Sequence, residues 1–388
     1  MKQRFFLCIV AMLLFSAEGR TQKEAPPVRE LKKIYQADLA FQDVVQNMFA
    51  NLRDLPNGTP NPWQNKGIED LYVFLNDWFY FLPNTKNGLD RIIEFSMLYY
   101  HNPHGMKFIL EEPGYSWSLR FIEARGRYMD SPESAKGIAT WLKDKSIKHD
   151  DFVMPLGGFQ SFNEFFTRDL KPGARKIEGQ DDDSALVSPA DGVINMINND
   201  LRLETQIPTK GRMTLNLDAL LGNSAYAEKF IGGTALAVFL KPDNYHHYHA
   251  PISGTVVEAR EEVGDRLFGM PDIPDLINNG NIAYNKDYSV FEHFRHGYLV
   301  IKTEAYGFVG MIPIGLQTIG SVVFEEGFKH VDDTDPQKIY KGEKVGHFAY
   351  GGSTVLLIFQ KGAFSAVSVK QGQQIGQLKS QQNLDLQH

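Results

Sequence analysis

Three histidines lie within four positions of one short segment, a dense group of side chains that could do chemistry. The segment reads Tyr245-His246-His247-Tyr248-His249-Ala250-Pro251 and follows the apolar run Ala235–Leu240. Alternate residues of an extended chain share a face, so His247 and His249 should point together unless a turn also brings in His246. Imidazoles act as general bases, as proton donors and as metal ligands. The segment therefore predicts part of an active site.

Two further segments carry groups that could act with these histidines. Ser188-Pro189-Ala190-Asp191-Gly192 presents one carboxylate in a turn, and Gly351-Gly352-Ser353-Thr354 precedes the apolar run Val355–Phe359. Two glycines before a serine leave the peptide carbonyl open to approach by the serine hydroxyl. A serine hydroxyl is a weak nucleophile that needs a base within hydrogen-bond reach and a third group to orient that base. Taken alone, each segment is more often an ordinary turn.

The candidate residues lie in the second part of a chain whose sequence pattern changes along its length. Glu24 to about Lys148 shows helical spacing of apolar residues. From about Val187, short β-rich runs alternate with glycine-containing turns. We therefore predict an α+β protein, with a helical amino-terminal domain over residues 20–155 and a β-rich sheet or barrel catalytic domain over residues 156–388. The predicted strands are Ala235–Leu240, Tyr298–Lys302, Ser321–Phe324 and Val355–Phe359.

The first residues have the pattern of a secretory signal peptide. Lys2 and Arg4 precede the apolar run Phe5–Phe15, which is shorter than the ~20 residues of a membrane span. We expect residues 1–19 to be removed and the protein to be exported, either secreted or periplasmic. The only cysteine, Cys8, would be lost with this segment, which excludes disulfides and thiol catalysis. The formal net charge of −7 argues against nucleic acid as a partner.

From Phe159 to about Gly362 the sequence resembles the phosphatidylserine decarboxylase family. The resemblance rests on the segments Ser161–Arg168 (SFNEFFTR) and Lys171–Arg175 (KPGAR), followed by the Asp191, histidine and Ser353 segments in the family's order. Several segments in one order are far more specific than any one of them. The resemblance implies a pyruvoyl-dependent carboxy-lyase, made as a zymogen, that converts phosphatidylserine to phosphatidylethanolamine and carbon dioxide in phospholipid biosynthesis.

The same resemblance implies how the cofactor is made. In the family the glycine–serine bond of the last motif breaks autocatalytically, here between Gly352 and Ser353, and the serine becomes the pyruvoyl group. The hydroxyl attacks the glycine carbonyl, and an N→O shift gives an ester. Elimination then releases the upstream chain, and the remaining dehydroalanine hydrolyses to the pyruvoyl group and ammonia. The pyruvoyl group takes the electron-sink role that pyridoxal phosphate has elsewhere, and no metal is expected.

The resemblance also assigns roles to individual residues. Asp191, His249 and Ser353 match the family's triad, with His249 as the base. His246 matches the family's first histidine, and we expect it to donate a proton to the carbanion left by decarboxylation, since histidine titrates near ~6.5. His247 occupies a position where arginine is frequent and receives no role. The two cleavage products are expected to stay associated.

Departures from the family leave the substrate open between a lipid and a free amino acid. Lipid-acting members commonly carry an Asn-Glu-Arg segment where this chain reads Phe-Glu-His-Phe-Arg-His-Gly at 291–297. The amino-terminal region looks like that of a subgroup that includes decarboxylases of free aromatic amino acids such as tryptophan. The aromatic-rich run Leu71–Leu82 is predicted to be core, which favours a soluble substrate, whereas an exposed run could hold acyl chains. Phosphatidylserine is the leading prediction, with peripheral membrane contact as its corollary.

Two further interpretations concern charged groups and metal. Arg168 and Arg175 are interpreted as salt-bridged within the fold, with phosphate or carboxylate binding as the alternative. A zinc hydrolase could use His247 and His249, with His293 and His296 as extra ligands only if their segment is helical.

A non-catalytic β-barrel binding module is the other remote alternative. It rests on the segment Val369–Gly376, which resembles the turn of lipoyl-like domains. Such turns are common in β proteins, and a fold alone does not assign a function.

Overall fold

The computed structural model describes residues 23–84, 86–145, 147–203, 216–278, 293–316, 322–349, 352–373 and 375–376. The predicted signal peptide lies outside these residues. Within them, no helix is both long enough and apolar enough to cross a membrane.

The first part of the described chain is helical, and short polar side chains start several of its helices. Asp38 accepts a hydrogen bond from the Phe41 backbone N–H at 3.0 Å, and the Asn102 side chain accepts from the next helix in the same way. The α-helices of the described chain are α1 Pro26–Ala37, α2 Leu39–Ala50, α3 Ile68–Tyr80, α4 Asp90–Ser96, α5 Pro103–Leu110, α6 Gly114–Met129, α7 Ile138–Trp141, α8 Phe162–Phe166, α9 Leu217–Leu220 and α10 Ile273–Asn278.

Helix α3 contains most of the aromatic run Leu71–Leu82, and it lies at the centre of the helical core. Its side chains at Leu71, Leu75 and Trp78 are at most 2% exposed, and Trp78 packs against Phe95 of α4 at 5.3 Å between ring centroids. Burial of one such side chain contributes about 1.5–3 kcal/mol. The prediction that this run is core is confirmed.

The second part of the described chain forms two antiparallel sheets. The larger sheet has the order β1-β2-β11-β6-β5-β4-β8, with β9 also paired to β4, and the smaller has the order β3-β10-β7. Apolar clusters cover both faces of the larger sheet. The strands are β1 Val193–Asn199, β2 Thr234–Leu240, β3 His247–His249, β4 Gly254–Val263, β5 His296–Lys302, β6 Phe308–Leu316, β7 Val322–Phe324, β8 His330–Val331, β9 Gln337–Ile339, β10 Lys344–Phe348 and β11 Gly352–Phe359.

The α+β prediction is confirmed, and the four predicted strand runs fall in β2, β5, β7 and β11. One detail was wrong: Gly352–Thr354 is not a turn before a strand, because β11 begins at Gly352. Residue 321, the first of the third run, lies outside the described residues.

The helical and sheet parts share side-chain packing. Phe268, from the sheet part, lies 5.2 Å from Phe95 and 6.2 Å from Trp78 between ring centroids. Helix α8 and Tyr245 also belong to the helical core cluster. That core therefore contains residues from both sides of the predicted boundary at 155.

Candidate active site

Ser353 lies on the central strand β11, between β2 and β6, directly opposite Leu240 and Gly315. Its side chain is fully buried, and its hydroxyl has no hydrogen-bond partner within the described residues. Alternation along the strand places Ser353 on the same face as Val355 and Leu357. The hydroxyl therefore points to the face of the sheet on which the smaller sheet packs.

The chain runs from the partner of Ser353 into the histidine segment through a tight turn. Strand β2 ends at Leu240, and in the turn that follows the Asn244 backbone N–H donates to the Lys241 carbonyl at 3.0 Å. The next residues form β3, which pairs with β10. This connection brings the histidines to the end of the sheet that carries Ser353.

His247 and His249 share one face of β3, as expected for alternate residues of an extended segment. Their rings lie 4.8 and 5.7 Å from the Tyr245 ring, between centroids. The sequence argument missed Tyr245, although residues i, i+2 and i+4 of an extended segment share a face and could have revealed it.

His249 has both ring nitrogens engaged. Its Nδ1 lies 2.9 Å from the Gly342 carbonyl oxygen, and its Nε2 lies 3.2 Å from the Tyr245 hydroxyl. A carbonyl oxygen only accepts, so Nδ1 carries the hydrogen and Nε2 accepts from the tyrosine. Burial lowers the pKa of His249 below its ordinary value. The group is therefore a neutral base whose orientation is fixed by Gly342, a turn residue that no sequence signal connects to the motif.

Asp191 is held by Arg175 and not by His249. Arg175 donates from Nε to Oδ1 at 3.1 Å and from Nη2 to Oδ2 at 2.7 Å, and a third nitrogen binds Asp151. The salt-bridge interpretation of Arg175 is confirmed. The segment that carries Asp191 nevertheless contacts the histidine segment, because the His249 backbone N–H donates to the Pro189 carbonyl at 2.7 Å. The triad role of Asp191 stays a prediction.

His246 is fully buried against the helical part. Its ring lies 3.9 Å from the Phe166 ring of α8 between centroids, with the ring planes tilted by 33°, and its Nδ1 lies 2.9 Å from the Asn244 carbonyl oxygen. Nδ1 is thus the protonated nitrogen, and Nε2 is a buried lone pair with no hydrogen-bond partner among the described residues. Burial, and then the charge of Arg168, lower the pKa of His246 to about 3. The expectation that His246 titrates near ~6.5 is therefore wrong for this continuous chain.

Arg168 does not form the ion pair expected of it. It is 4% exposed, and its guanidinium lies 4.1 Å from the Phe152 ring and 4.9 Å from the Phe165 ring, with a hydrogen bond to the Phe165 carbonyl at 3.3 Å. No carboxylate of the described chain pairs with it. The two aromatic faces offset part of the cost of burying this charge.

The geometry of the remaining histidines does not match the zinc alternative. His296 begins strand β5, so the segment is not helical there, and its two ring nitrogens lie 2.6 and 2.9 Å from the carbonyl oxygens of Phe294 and Leu220. His247 places Nε2 2.7 Å from the Thr167 carbonyl oxygen. No group of three or more His, Cys, Asp or Glu side chains in the described residues could hold a metal ion.

A cleft of about 1030 Å³ opens beside Asp191 and His249. Its lining is mixed, with charged and polar side chains that include Arg175, Glu178 and Asp182 on one part and apolar side chains on the other. The apolar lining includes Ile194, Leu236, Val238, Val309, Leu357 and Phe359. No sequence pattern indicated this cleft, because its walls come from four strands that are distant in sequence.

Comparison with known proteins matches this sequence to one family. The sequence model described as phosphatidylserine decarboxylase matches residues 162–379. A phosphatidylserine decarboxylase proenzyme from Clostridium novyi is 33% identical over 241 residues, which cover 62% of this chain and 75% of that protein. One from Fusobacterium nucleatum is 29% identical over 263 residues, covering 66% and 81%. Phosphatidylserine decarboxylase proenzyme 2 of rice is 35% identical over 248 residues, but these cover only 36% of that protein.

These matches define the class of the site as that of a pyruvoyl-dependent carboxy-lyase. The chain belongs to the phosphatidylserine decarboxylase family, as the motif resemblance predicted. The helices before residue 162 precede the part that the family model matches.

Proposed function

We propose that this chain is a proenzyme that forms its pyruvoyl group from Ser353 and then converts phosphatidylserine to phosphatidylethanolamine and carbon dioxide. The observation that carries the proposal is the Ser353 hydroxyl, which is fully buried and has no hydrogen-bond partner in the part of the chain that the structure describes. Nearly all buried polar groups in proteins have partners, so an unpaired hydroxyl needs a reason. Here the reason is that the hydroxyl is kept free to react with the adjacent Gly352 carbonyl.

We assign the proton transfers of this reaction to residues that line the same cleft as Leu357, which shares a face of β11 with Ser353. His249 offers Nε2 as the base, and the Gly342 carbonyl and the Tyr245 hydroxyl orient its ring. When Asp191 is released from Arg175, it could replace the carbonyl as the acceptor of the Nδ1 hydrogen. In the N→O shift, the Gly352 acyl group moves from the Ser353 nitrogen to the Ser353 oxygen, and the nitrogen gains a proton. Elimination of the resulting ester then breaks the chain.

His246 is suited to the reaction that follows. A pyruvoyl group at position 353 supplies an electron sink for the pair left by departing carbon dioxide. His246 has an unpaired Nε2 that can accept a proton, and Phe166 fixes the plane of its ring. In the processed enzyme this nitrogen would carry a proton to the substrate carbon, a role that requires a pKa above the value of about 3 that it has in the continuous chain.

The cleft supports a lipid as the substrate. The confirmed burial of the run Leu71–Leu82 removes it as an acyl-chain surface, and this burial favours the alternative substrate, a free amino acid that could be aromatic. The cleft beside His249, however, supplies apolar surface that an acyl chain could cover. Two of its apolar side chains, Ile194 and Val367, are each nearly half exposed. We propose phosphatidylserine as the substrate, acted on outside the cytoplasm after export.

Intact mass spectrometry of the natively expressed protein tests the processing step. We expect one chain that ends at Gly352 and a second that begins at position 353 with a carbonyl-blocked terminus. Ser353→Ala should remain a single chain, while Ser184→Ala, which changes an exposed serine, should be cleaved normally. A folded wild-type protein that persists as one chain would contradict the proposal.

A further inference from the structure

Lys341 is a buried lysine whose charge is not paired with a carboxylate. It is 6% exposed, and no Asp or Glu side chain in the described part of the chain forms an ion pair with it. Its Nζ instead donates to two backbone carbonyls, those of Gly179 at 2.7 Å and Asp182 at 2.6 Å. Lysine is rarely buried in this way, because removal of an ammonium group from water is costly. The position of this charge therefore needs a reason.

The two carbonyls belong to a loop that is distant from Lys341 in sequence, by 162 and 159 positions. The loop is closed by the Asp182 N–H, which donates to the Gly179 carbonyl at 3.1 Å. We call residues 179–182 the carbonyl loop. Gly179 and Asp182 both line the cleft beside His249. The Lys341 side chain therefore fastens part of the cleft wall to the turn between β9 and β10.

That turn also contains the carbonyl that orients His249. The Glu343 N–H donates to the Tyr340 carbonyl at 2.8 Å, which closes a four-residue turn with Lys341 second and Gly342 third. Gly342 has a φ of +82°, which a type II turn requires at its third position. The Gly342 carbonyl accepts the Nδ1 hydrogen of His249 at 2.9 Å. The buried ammonium and the carbonyl that orients the base thus belong to adjacent residues of one tight turn.

The surroundings of the turn couple Lys341 to the position of the Gly342 carbonyl. The Lys341 N–H donates to the Ser253 hydroxyl oxygen at 2.9 Å, and the Gly342 N–H donates to the Ala250 carbonyl at 2.8 Å. On another side, a Cβ at Gly342 would lie 2.7 Å from the Ile177 side chain, two residues before the carbonyl loop. The loop and the turn are therefore in close contact, and a change at Lys341 can move the Gly342 carbonyl.

We propose that Lys341 is a positioning residue for His249, which it serves by fastening the carbonyl loop to the turn and so keeping the Gly342 carbonyl on Nδ1. This inference rests on the proposed function, in which Nε2 of His249 takes the Ser353 proton. Without a fixed carbonyl, the ring could carry its hydrogen on Nε2 and donate it to the Tyr245 hydroxyl oxygen. A ring in that form has no lone pair on Nε2 and cannot act as the base there.

Nitrogen-15 NMR of labelled histidine tests the proposal, because it reports which ring nitrogen carries the hydrogen. The measurement uses Ser353→Ala, whose chain stays continuous, at a pH at which His249 is neutral, and His249→Gln identifies the signal. Lys341→Met keeps a long side chain but removes the charge and both hydrogen bonds. It should lower the ratio of Nδ1–H to Nε2–H forms about fivefold, the typical net effect of one hydrogen bond. With Ser353 restored, it should slow self-cleavage by a similar factor.

Lys338→Met is the matched control. It makes the same substitution three residues earlier, on β9, where the lysine is exposed and donates to the Thr255 hydroxyl at 3.1 Å. This variant should leave both the tautomer ratio of His249 and the rate of self-cleavage unchanged.

Gly179→Val tests the same contact from the other side and does not alter Lys341. Gly179 is exposed with a φ of +60°, and a Cβ there would lie 2.6 Å from the Ala185 Cβ, so valine must displace the carbonyl loop. The tautomer ratio should shift in the same direction as in Lys341→Met. The proposal is overturned if the ratio keeps its wild-type value in Gly179→Val or in a folded Lys341→Met, even where cleavage is slower.

This inference and the proposed function can fail separately. The tautomer ratio is read in a chain that cannot cleave, so a wild-type chain that never cleaves would contradict the proposed function alone. Normal self-cleavage of Lys341→Met with an unchanged ratio would contradict this inference alone.

Discussion

Arg175 and Asp191 form a two-bond ion pair at the mouth of the cleft, with nitrogen–oxygen distances of 3.1 and 2.7 Å. The pair engages both oxygens of the carboxylate that the family resemblance assigns to His249. Asp191 must move from its position beside Arg175 before it can accept the Nδ1 hydrogen of His249, which in this structure bonds the Gly342 carbonyl. The ion pair therefore opposes processing in the continuous chain.

Arg175→Gln should accelerate self-cleavage. The arginine side chain is 37% exposed, and ion pairs of this kind contribute no more than about 1 kcal/mol, so the increase should not exceed about fivefold. The rate can be followed as conversion of freshly translated chain into two fragments. Arg202→Gln, which removes the exposed pair with Asp200, is the control. Slower cleavage in Arg175→Gln would show that the arginine positions Asp191 productively.

His249→Ala and His246→Ala should fail at different steps. Loss of the base should leave His249→Ala as a single chain, since general-base help is typically worth about 10²–10⁴-fold. His246→Ala should be cleaved but nearly inactive in carbon dioxide release. His330→Ala, at an exposed site, should be normal in both assays. An uncleaved His246→Ala would show that its unpaired Nε2 acts on Ser353, and normal turnover would remove His246 from the mechanism.

The cleft should determine the choice of substrate. Ile194→Asp adds a charge to its apolar wall and should raise the KM for phosphatidylserine in detergent about tenfold or more. Ile197→Asp is a matched control, because Ile197 lies on the same strand with nearly equal exposure, 47% against 48%, and does not line the cleft. Turnover of free tryptophan, serine or tyrosine without turnover of the lipid would reverse the substrate assignment.

Stability should fall on mild acidification. Burial is the first cause that lowers the pKa of both His246 and His247 to about 3, from 6.5 in the unfolded chain. Between these values the unfolded chain binds protons that the folded chain does not, so the free energy of unfolding decreases as the pH falls. At pH 5 each histidine should cost about 2 kcal/mol.

Denaturant titrations between pH 7 and pH 5 measure this dependence. His246→Asn should make it shallower, whereas His330→Asn should not, since the His330 side chain is 66% exposed. An equal pH dependence in His246→Asn and the wild type would contradict the assigned burial effect.

The sequence predicted those features that depend on local pattern or on motif order. The α+β class follows from helical spacing in the first part of the chain and β-rich runs in the second. The shared face of His247 and His249 follows from the two-residue period of strands. The family followed from several segments in order. None of these features requires knowledge of which distant residues meet.

Contacts between distant segments could not be predicted. The Gly342 carbonyl that orients His249 lies 93 positions away in sequence, and Arg168 replaces the expected ion pair with two aromatic rings. The pKa of His246 depends on burial by Phe166, which belongs to a different part of the fold. Periodicity specifies faces of elements, but it does not specify their partners.

Tyr245 connects the helical part to the chemistry, since its ring belongs to the helical core cluster while its hydroxyl contacts His249. A substitution in the helical core can therefore change the position of the His249 ring through the Tyr245 side chain. A chain that lacks all residues before α8 would lose most of the helical core around Tyr245. It would also leave the Phe268 ring without its aromatic neighbours in α3 and α4. Removal of the helical region would therefore also remove packing contacts of a residue that touches the candidate base.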